Sequence, residues 1–233
     1  MGRRTLKRKA LKDLLASGDI DRAVTELRQL PGRRFVNPLL SALCGEEKIR
    51  WHAVTTMGFV VEDLAERDLE SARVVMRTLM WNLTEECGGI AWGVPEAMAE
   101  IMARHEILAR EYVQILVSYM REDGNFLEYE PLQRGLLWGI GRLAQVERDL
   151  LIAHHADRYL LPYLESGDAA VRGLAARALG LLGARQAAPK LEALLEDPDE
   201  IDLYLDRELV TSRVGDLAGE ALAAVRAGKG SAR

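Results

Sequence analysis

Three of the chain's four tryptophans, Trp51, Trp92 and Trp138, recur in one sequence pattern together with Glu96, Glu100, Arg134, Arg142 and Arg177. Aromatic rings interleaved with guanidinium and carboxylate groups make recognition chemistry. The ring supplies apolar area at low entropic cost, and the charges set the orientation of whatever lies against it. Reaction chemistry is harder to assemble from these residues. Histidine is scarce: His52, His105, His154 and His155. His105-Glu106 is the one adjacent His-Glu pair, and a single pair cannot build a dinuclear metal site. His154 and His155 would point about 100° apart on a helix, so they cannot easily share one metal. Cys44 and Cys87 fall outside any CxxC or CxxxH spacing and read as two free thiols of a reducing compartment. There is no glycine-rich phosphate loop, nucleophile elbow or metalloprotease motif. The expectation is therefore a binding protein with no catalytic residue, no cofactor and no metal.

The elements that must position these side chains follow from an internal repeat. The segment Val171–Gly180 (VRGLAARALG) has relatives at Ile49–Gly58, Ile90–Ala99, Leu132–Gly141 and Val214–Ala223. Each opens on an aliphatic, places an apolar or small residue four later and a large apolar residue four after that, then ends in Gly or Ala. Successive starts are 41, 42, 39 and 43 residues apart. Helical spacing repeated at that period predicts an all-α chain of stacked helix pairs.

Sustained period-two alternation is nearly absent, so no strand is expected. The proposed pairs are 36–44 with 47–66, 69–83 with 90–103, 105–121 with 131–146, 148–165 with 168–182, and 186–196 with 210–227. An N-terminal helical hairpin, about 4–16 and 19–30, would cap the first pair. This reads as a single solenoid over 1–233, with a cap at 1–34, five repeats at 35–227 and a disordered tail at 228–233. The loops are 84–89, 122–130 and 197–208. The last is rich in Asp and Glu, lacks the alternating ligands and central Gly of a calcium loop, and is expected to be a solvated acidic loop.

Counting each decapeptide from zero, positions 0, 4, 7 and 8 share one helical arc and form the packed face. Positions 2 and 6 lie near the opposite side. They read Trp51, Trp92, Arg134, Gly173 and Asp216, then Thr55, Glu96, Trp138, Arg177 and Glu220. At position 10, Glu100 and Arg142 occupy equivalent places and could pair across successive repeats. Two readings stay open: the tryptophans line a concave binding groove, or they fill space between closely packed second helices. Pro95 is tolerated only near a helix start, so the helix carrying Glu96 is expected to begin at Gly93 or Val94.

The unit at 158–197 resembles the HEAT-like repeat of phycobilisome-lyase-type proteins, through Asp168, Val171, Arg172, Ala175, Leu179 and Gly180. As a whole the chain resembles an uncharacterised bacterial HEAT-repeat family, in the segments RWHAVTTMG, AWGVPEAMAEI and RGLLWGIGRLA. The resemblance implies an α–α superhelix and no activity, because HEAT folds serve adaptors, lyases and a few enzymes. HEAT-fold iron hydroxylases carry several His-Glu pairs, against one here. HEAT-like alkylpurine DNA glycosylases use Trp, Arg and an acidic residue in a basic groove, which Trp138, Arg134 and Glu96 superficially match.

Charge weighs against nucleic acid. The net charge is -5, residues 1–34 carry about +6, and the remainder is therefore near -11. An acidic body repels phosphate, and only the basic start GRRTLKRKALK could attract it. Leu6 and Leu11 in that start, with Leu14 and Leu15 just after it, are better explained by docking onto the first repeat. No apolar run is long enough to span a bilayer, and the N-terminus lacks the apolar region of a secretory signal, so the chain reads as cytoplasmic. The expected function is a HEAT-repeat interaction scaffold or adaptor that holds a peptide or partner protein through Trp51, Trp92, Glu96, Glu100, Arg134, Trp138, Arg142 and Arg177. The alternative is a lyase-like or small-molecule-binding protein using the same residues.

Overall fold

The computed structural model describes residues 8–30, 33–84 and 91–228. Cys87, Leu6, residues 85–89 of the expected loop and nearly all of the expected tail lie outside the described residues. The chain divides into two compact units, 1–108 and 109–233.

In the first unit, α1 (Arg8–Ser17) and α2 (Ile20–Arg28) form the N-terminal hairpin. Asp19 starts α2 by accepting the Arg22 amide at 3.1 Å. Leu11, Leu15, Ala23 and Leu27 form its buried stripe. Both helices pack on α4 (Glu47–Arg67), which also receives α3 (Val36–Leu43), α5 (Leu69–Thr84) and α6 (Val94–Met102). The long helix α4 is buried on every side over residues 51–58. His52 joins hairpin to helix, its Nδ1 lying 2.6 Å from the Leu15 carbonyl oxygen. A carbonyl only accepts, so that nitrogen carries the proton.

The expected helix start near Pro95 is met at Val94. Gly93 is the cap, with φ +70°, a left-handed conformation that a side chain would strain. A Cβ there would also lie 3.1 Å from the side chains of Arg50 and Leu43. The boundary between the units falls within α7 (Glu106–Ser118), where His105 accepts the Leu108 amide at 3.4 Å.

In the second unit, α8 (Glu130–Ala144), α11 (Ala169–Leu182) and α13 (Val214–Arg226) pack in sequence order. They are the second helices of successive repeats. The first helices are shorter: α9 (Arg148–Ala153), α10 (Ala156–Tyr159), a 3-10 turn at Leu161–Glu165, and α12 (Ala188–Ala193). Asp168 caps α11 by accepting the Val171 amide at 3.0 Å, and Gly183 closes it with φ +65°.

The expected acidic loop is a correction. Residues 200–205 and 208–213 form an antiparallel hairpin, β1 (Glu200–Leu205) and β2 (Glu208–Arg213), and α13 starts only at Val214. Leu205 pairs with Glu208, leaving a two-residue connection, Asp206-Arg207, with φ +50° and +70°. Tight hairpin turns demand positive φ at both positions and favour Asn-Gly or Asp-Gly. An Asp-Arg pair carries no such signal, which is why the turn hides in the sequence.

Candidate functional site

In the first unit the position-2 and position-6 residues lie on α4 and at the start of α6, two helices packed on each other. Trp51 and Thr55 are buried, with Trp51 8% exposed, and Trp92 is half-buried. The Arg50 guanidinium lies over the Trp92 ring at 5.7 Å, a cation–π contact, and reaches Glu47 at 3.4 Å. Glu96, 7% exposed, sits in the first turn of α6. Its Oε2 is buried and meets no hydrogen-bond partner. Burial pushes its carboxyl up to about 7, against the opposing pull of its own backbone N–H and the Arg50 charge. The Thr56 hydroxyl is likewise buried without a partner.

One turn on, Glu100 is 4% exposed and accepts from Arg104 Nε at 2.7 Å. Arg104 stacks 3.6 Å from the Phe59 ring centroid and approaches Glu62 at 3.6 Å. Gly58 makes this possible: a Cβ there would stand 2.7 Å from Glu100 Cγ and 2.8 Å from Arg104 Nε. Arg50, Phe59 and Arg104 join Glu96 and Glu100 here without being among the residues expected from sequence; Phe59 sits at position 10 of the first decapeptide, the place that Glu100 and Arg142 hold in later repeats.

In the second unit the corresponding face is covered by the chain itself. Trp138, 6% exposed, donates its indole N–H to the Tyr204 carbonyl at 2.7 Å, and the two rings tilt at 46° with centroids 6.4 Å apart. Gly173, at position 2 of α11, lies under Ile201, whose Cδ1 would be 2.5 Å from an added Cβ. Arg177 is held below the usual guanidinium range by burial, opposed by the charges of Asp206 at the hairpin tip and Glu220 on α13. Arg172 anchors the approach to the hairpin, donating to Asp197 at 2.9 Å, Asp199 at 2.8 Å and the Ser166 carbonyl at 2.9 Å.

Arg134 is engaged elsewhere. Its Nε meets both Asp168 oxygens at 3.1 and 3.0 Å, and Nη2 makes a further close contact with Oδ2. Burial works to raise the Asp168 carboxyl, but Arg134 and the helix amides outweigh it and hold the group below its usual range. The capping aspartate of α11 is thus also the counter-ion of α8. Arg142 reaches Gln145 at 3.5 Å. The structure therefore places Trp51, Trp92, Glu96 and Glu100 in the first unit, on α4 and on or just before α6, and in the second unit sets Trp138 against β1 and Arg177 among the charges of the hairpin turn and α13. Among the described residues no cluster of His, Cys, Asp and Glu is arranged to hold a metal, and no helix is long and apolar enough to cross a membrane.

No family model matches the chain. It is 25% identical over 175 residues to an uncharacterized protein of Archaeoglobus fulgidus, a match covering 75% of this chain and 88% of the relative. Its structure is similar to that of an engineered protein at TM-score 0.59 and 17% identity, over 94% of this chain and 92% of the other. A computationally designed armadillo repeat protein for modular peptide recognition matches at TM-score 0.54 and 18% identity, covering 93% and 92%. A designed armadillo repeat protein in complex with the peptide (KR)4 matches at TM-score 0.57 and 17% identity, covering 94% and 92%. At these identities the likeness concerns the fold alone. It is an all-α helical-repeat fold of the armadillo-like kind, with one small hairpin added.

Proposed function

We propose that the chain is an interaction scaffold that binds an extended, basic segment of a partner protein on the α4–α6 face of its first unit. The observation that carries this reading is the second unit's own arrangement. There an extended strand already lies along position 2 and position 6, its carbonyl held by an indole N–H and its Ile201 side chain seated over a glycine. A helix face built from this repeat thus accommodates extended backbone. The first unit offers the half-buried pair Trp92 and Arg50 and, at the start of α6, a buried carboxyl oxygen with no donor. A Lys or Arg side chain entering between Trp92 and Arg50 would supply that donor and convert Glu96 to its charged form.

Residues 35–108, the first unit beyond its basic N-terminal stretch, carry twelve Asp/Glu against six Lys/Arg, which favours a basic partner. Solved neighbours designed for peptide recognition, one holding (KR)4, are consistent with it. Within the helical-repeat class we assign the 158–197 unit to the lyase-type HEAT repeat, supported by the Asp168 cap and the Arg172 clamp. No observation favours a lyase activity.

The test is titration of the full chain with alternating Lys-Arg and Asp-Glu peptides, read by tryptophan fluorescence. Saturable binding of the basic peptide alone is expected, weakened at least tenfold by Glu96→Gln and by Trp92→Ala, and unchanged by Arg134→Ala. Equal binding by wild type and both first-unit variants would sink the assignment.

A further inference from the structure

The second unit contains a cavity that the peptide reading does not use. It lies between the 120–126 segment, the start of α8 and the α10/3-10 segment, and is an open pocket of about 590 Å³, within the range of small-molecule sites. Its walls are braced before any ligand arrives. Tyr163 donates its hydroxyl to the Met120 carbonyl at 3.1 Å, tying the 3-10 turn to the segment opposite. Arg121 is forked onto Asp123 at 2.9 and 2.7 Å and lies 5.0 Å from the Tyr159 ring centroid. The buried Gln133 spends its amide N–H on the Leu127 carbonyl at 2.8 Å.

These commitments leave a defined chemistry. Phe126, Tyr159, Pro162 and Tyr163 offer apolar and aromatic walls. Arg121 and Asp123 neutralise each other, so two other lining charges decide what enters. Arg158 and Glu122 make no ion pair among the described residues. Glu122 acts on Tyr163, whose phenol is pushed up to about 12 by burial first and by that carboxylate second. One uncommitted cation, one uncommitted anion and aromatic walls complement a ligand of matching layout.

The geometry points to a binding site for a small aromatic zwitterion, an aromatic amino acid or aromatic dipeptide. Its ring stacks against Phe126, Tyr159 and Tyr163, its carboxylate meets Arg158 and its ammonium meets Glu122. The inference is independent of the peptide face, since none of these residues belongs to it.

The test uses the full chain and calorimetry or saturation-transfer NMR, with tryptophan, the dipeptide Phe-Phe, 3-phenylpropionate and phenethylamine as probes. One or both zwitterions should bind saturably, and each half-charged analogue at least tenfold more weakly. Arg158→Gln should weaken the zwitterion at least fivefold without affecting phenethylamine, and Glu122→Gln should do so without affecting 3-phenylpropionate. Both side chains are at the surface, so both variants should fold, as circular dichroism would report. The site is overturned if neither zwitterion saturates, if the analogues bind as well as the zwitterions, or if both variants bind like wild type.

Discussion

Two helix faces built from the same repeat positions end in different chemistry. On α8 the tryptophan of the pattern meets strand β1 and has a fixed acceptor there, and on α11 Arg177 has Asp206 of the hairpin turn and Glu220 of α13 for counter-charges. On α4 and at the approach to α6, Trp51 is buried, Trp92 lies under Arg50, and the acid that follows keeps an oxygen without a donor. A residue type at a repeat position therefore does not state its role. The role is decided by what lies across from it, and in the second unit the chain supplies that element itself.

The contrast can be broken by experiment. The largest effect is expected from Trp138→Ala, which empties a packed site and releases the Tyr204 carbonyl. A loss of about 4 kcal/mol in urea unfolding should accompany faster hydrogen exchange across 200–213. The same change at half-buried Trp92 should cost less than about 2 kcal/mol, and equal losses would erase the distinction between the faces.

Next comes pH. The folded-state value of Glu96 is raised from 4.5 to about 7, so the folded state holds this proton more tightly than the unfolded chain. Its contribution to stability is full below pH 4.5 and is lost as pH rises through 7, about 3 kcal/mol at most. Glu96→Gln should remove that fall from a stability–pH profile. An unchanged profile would mean that the carboxyl has found a partner and the two faces are alike.

Smaller effects probe the strained turn and the orphan hydroxyl. Arg207→Gly should stabilise the hairpin by about 1 kcal/mol by relieving a positive φ in a non-glycine residue. It should raise the thermal midpoint and slow exchange in β1. Thr56→Val should gain somewhat under about 1 kcal/mol, because it removes a buried hydroxyl without a partner. Destabilisation by Thr56→Val would show that the hydroxyl is satisfied.

Much of the fold was legible because helix pairs repeat their apolar spacing locally. The start of α6 beside Pro95 follows from single-residue backbone chemistry. The hairpin was not legible for two reasons. Its turn uses Asp-Arg rather than a glycine, and only Ile201, Leu203 and Tyr204 of its twelve strand residues are buried hydrophobics. The acidic residues before it looked solvated because their partner, Arg172, lies 25 residues upstream of Asp197.

The sequence by itself determined the helical repeat, its period, and which side chains share a face, since those depend on a rotation of about 100° per residue along one chain. It also supplied the charge contrast between residues 1–34 and the rest. Only the tertiary structure decided that Trp138 is latched by a strand, that Arg134 serves the cap of the next helix, and that Glu96 Oε2 is buried without a donor. Each is a contact between segments distant in sequence. Burial and hydrogen-bond satisfaction are properties of such contacts, and no local spacing records them.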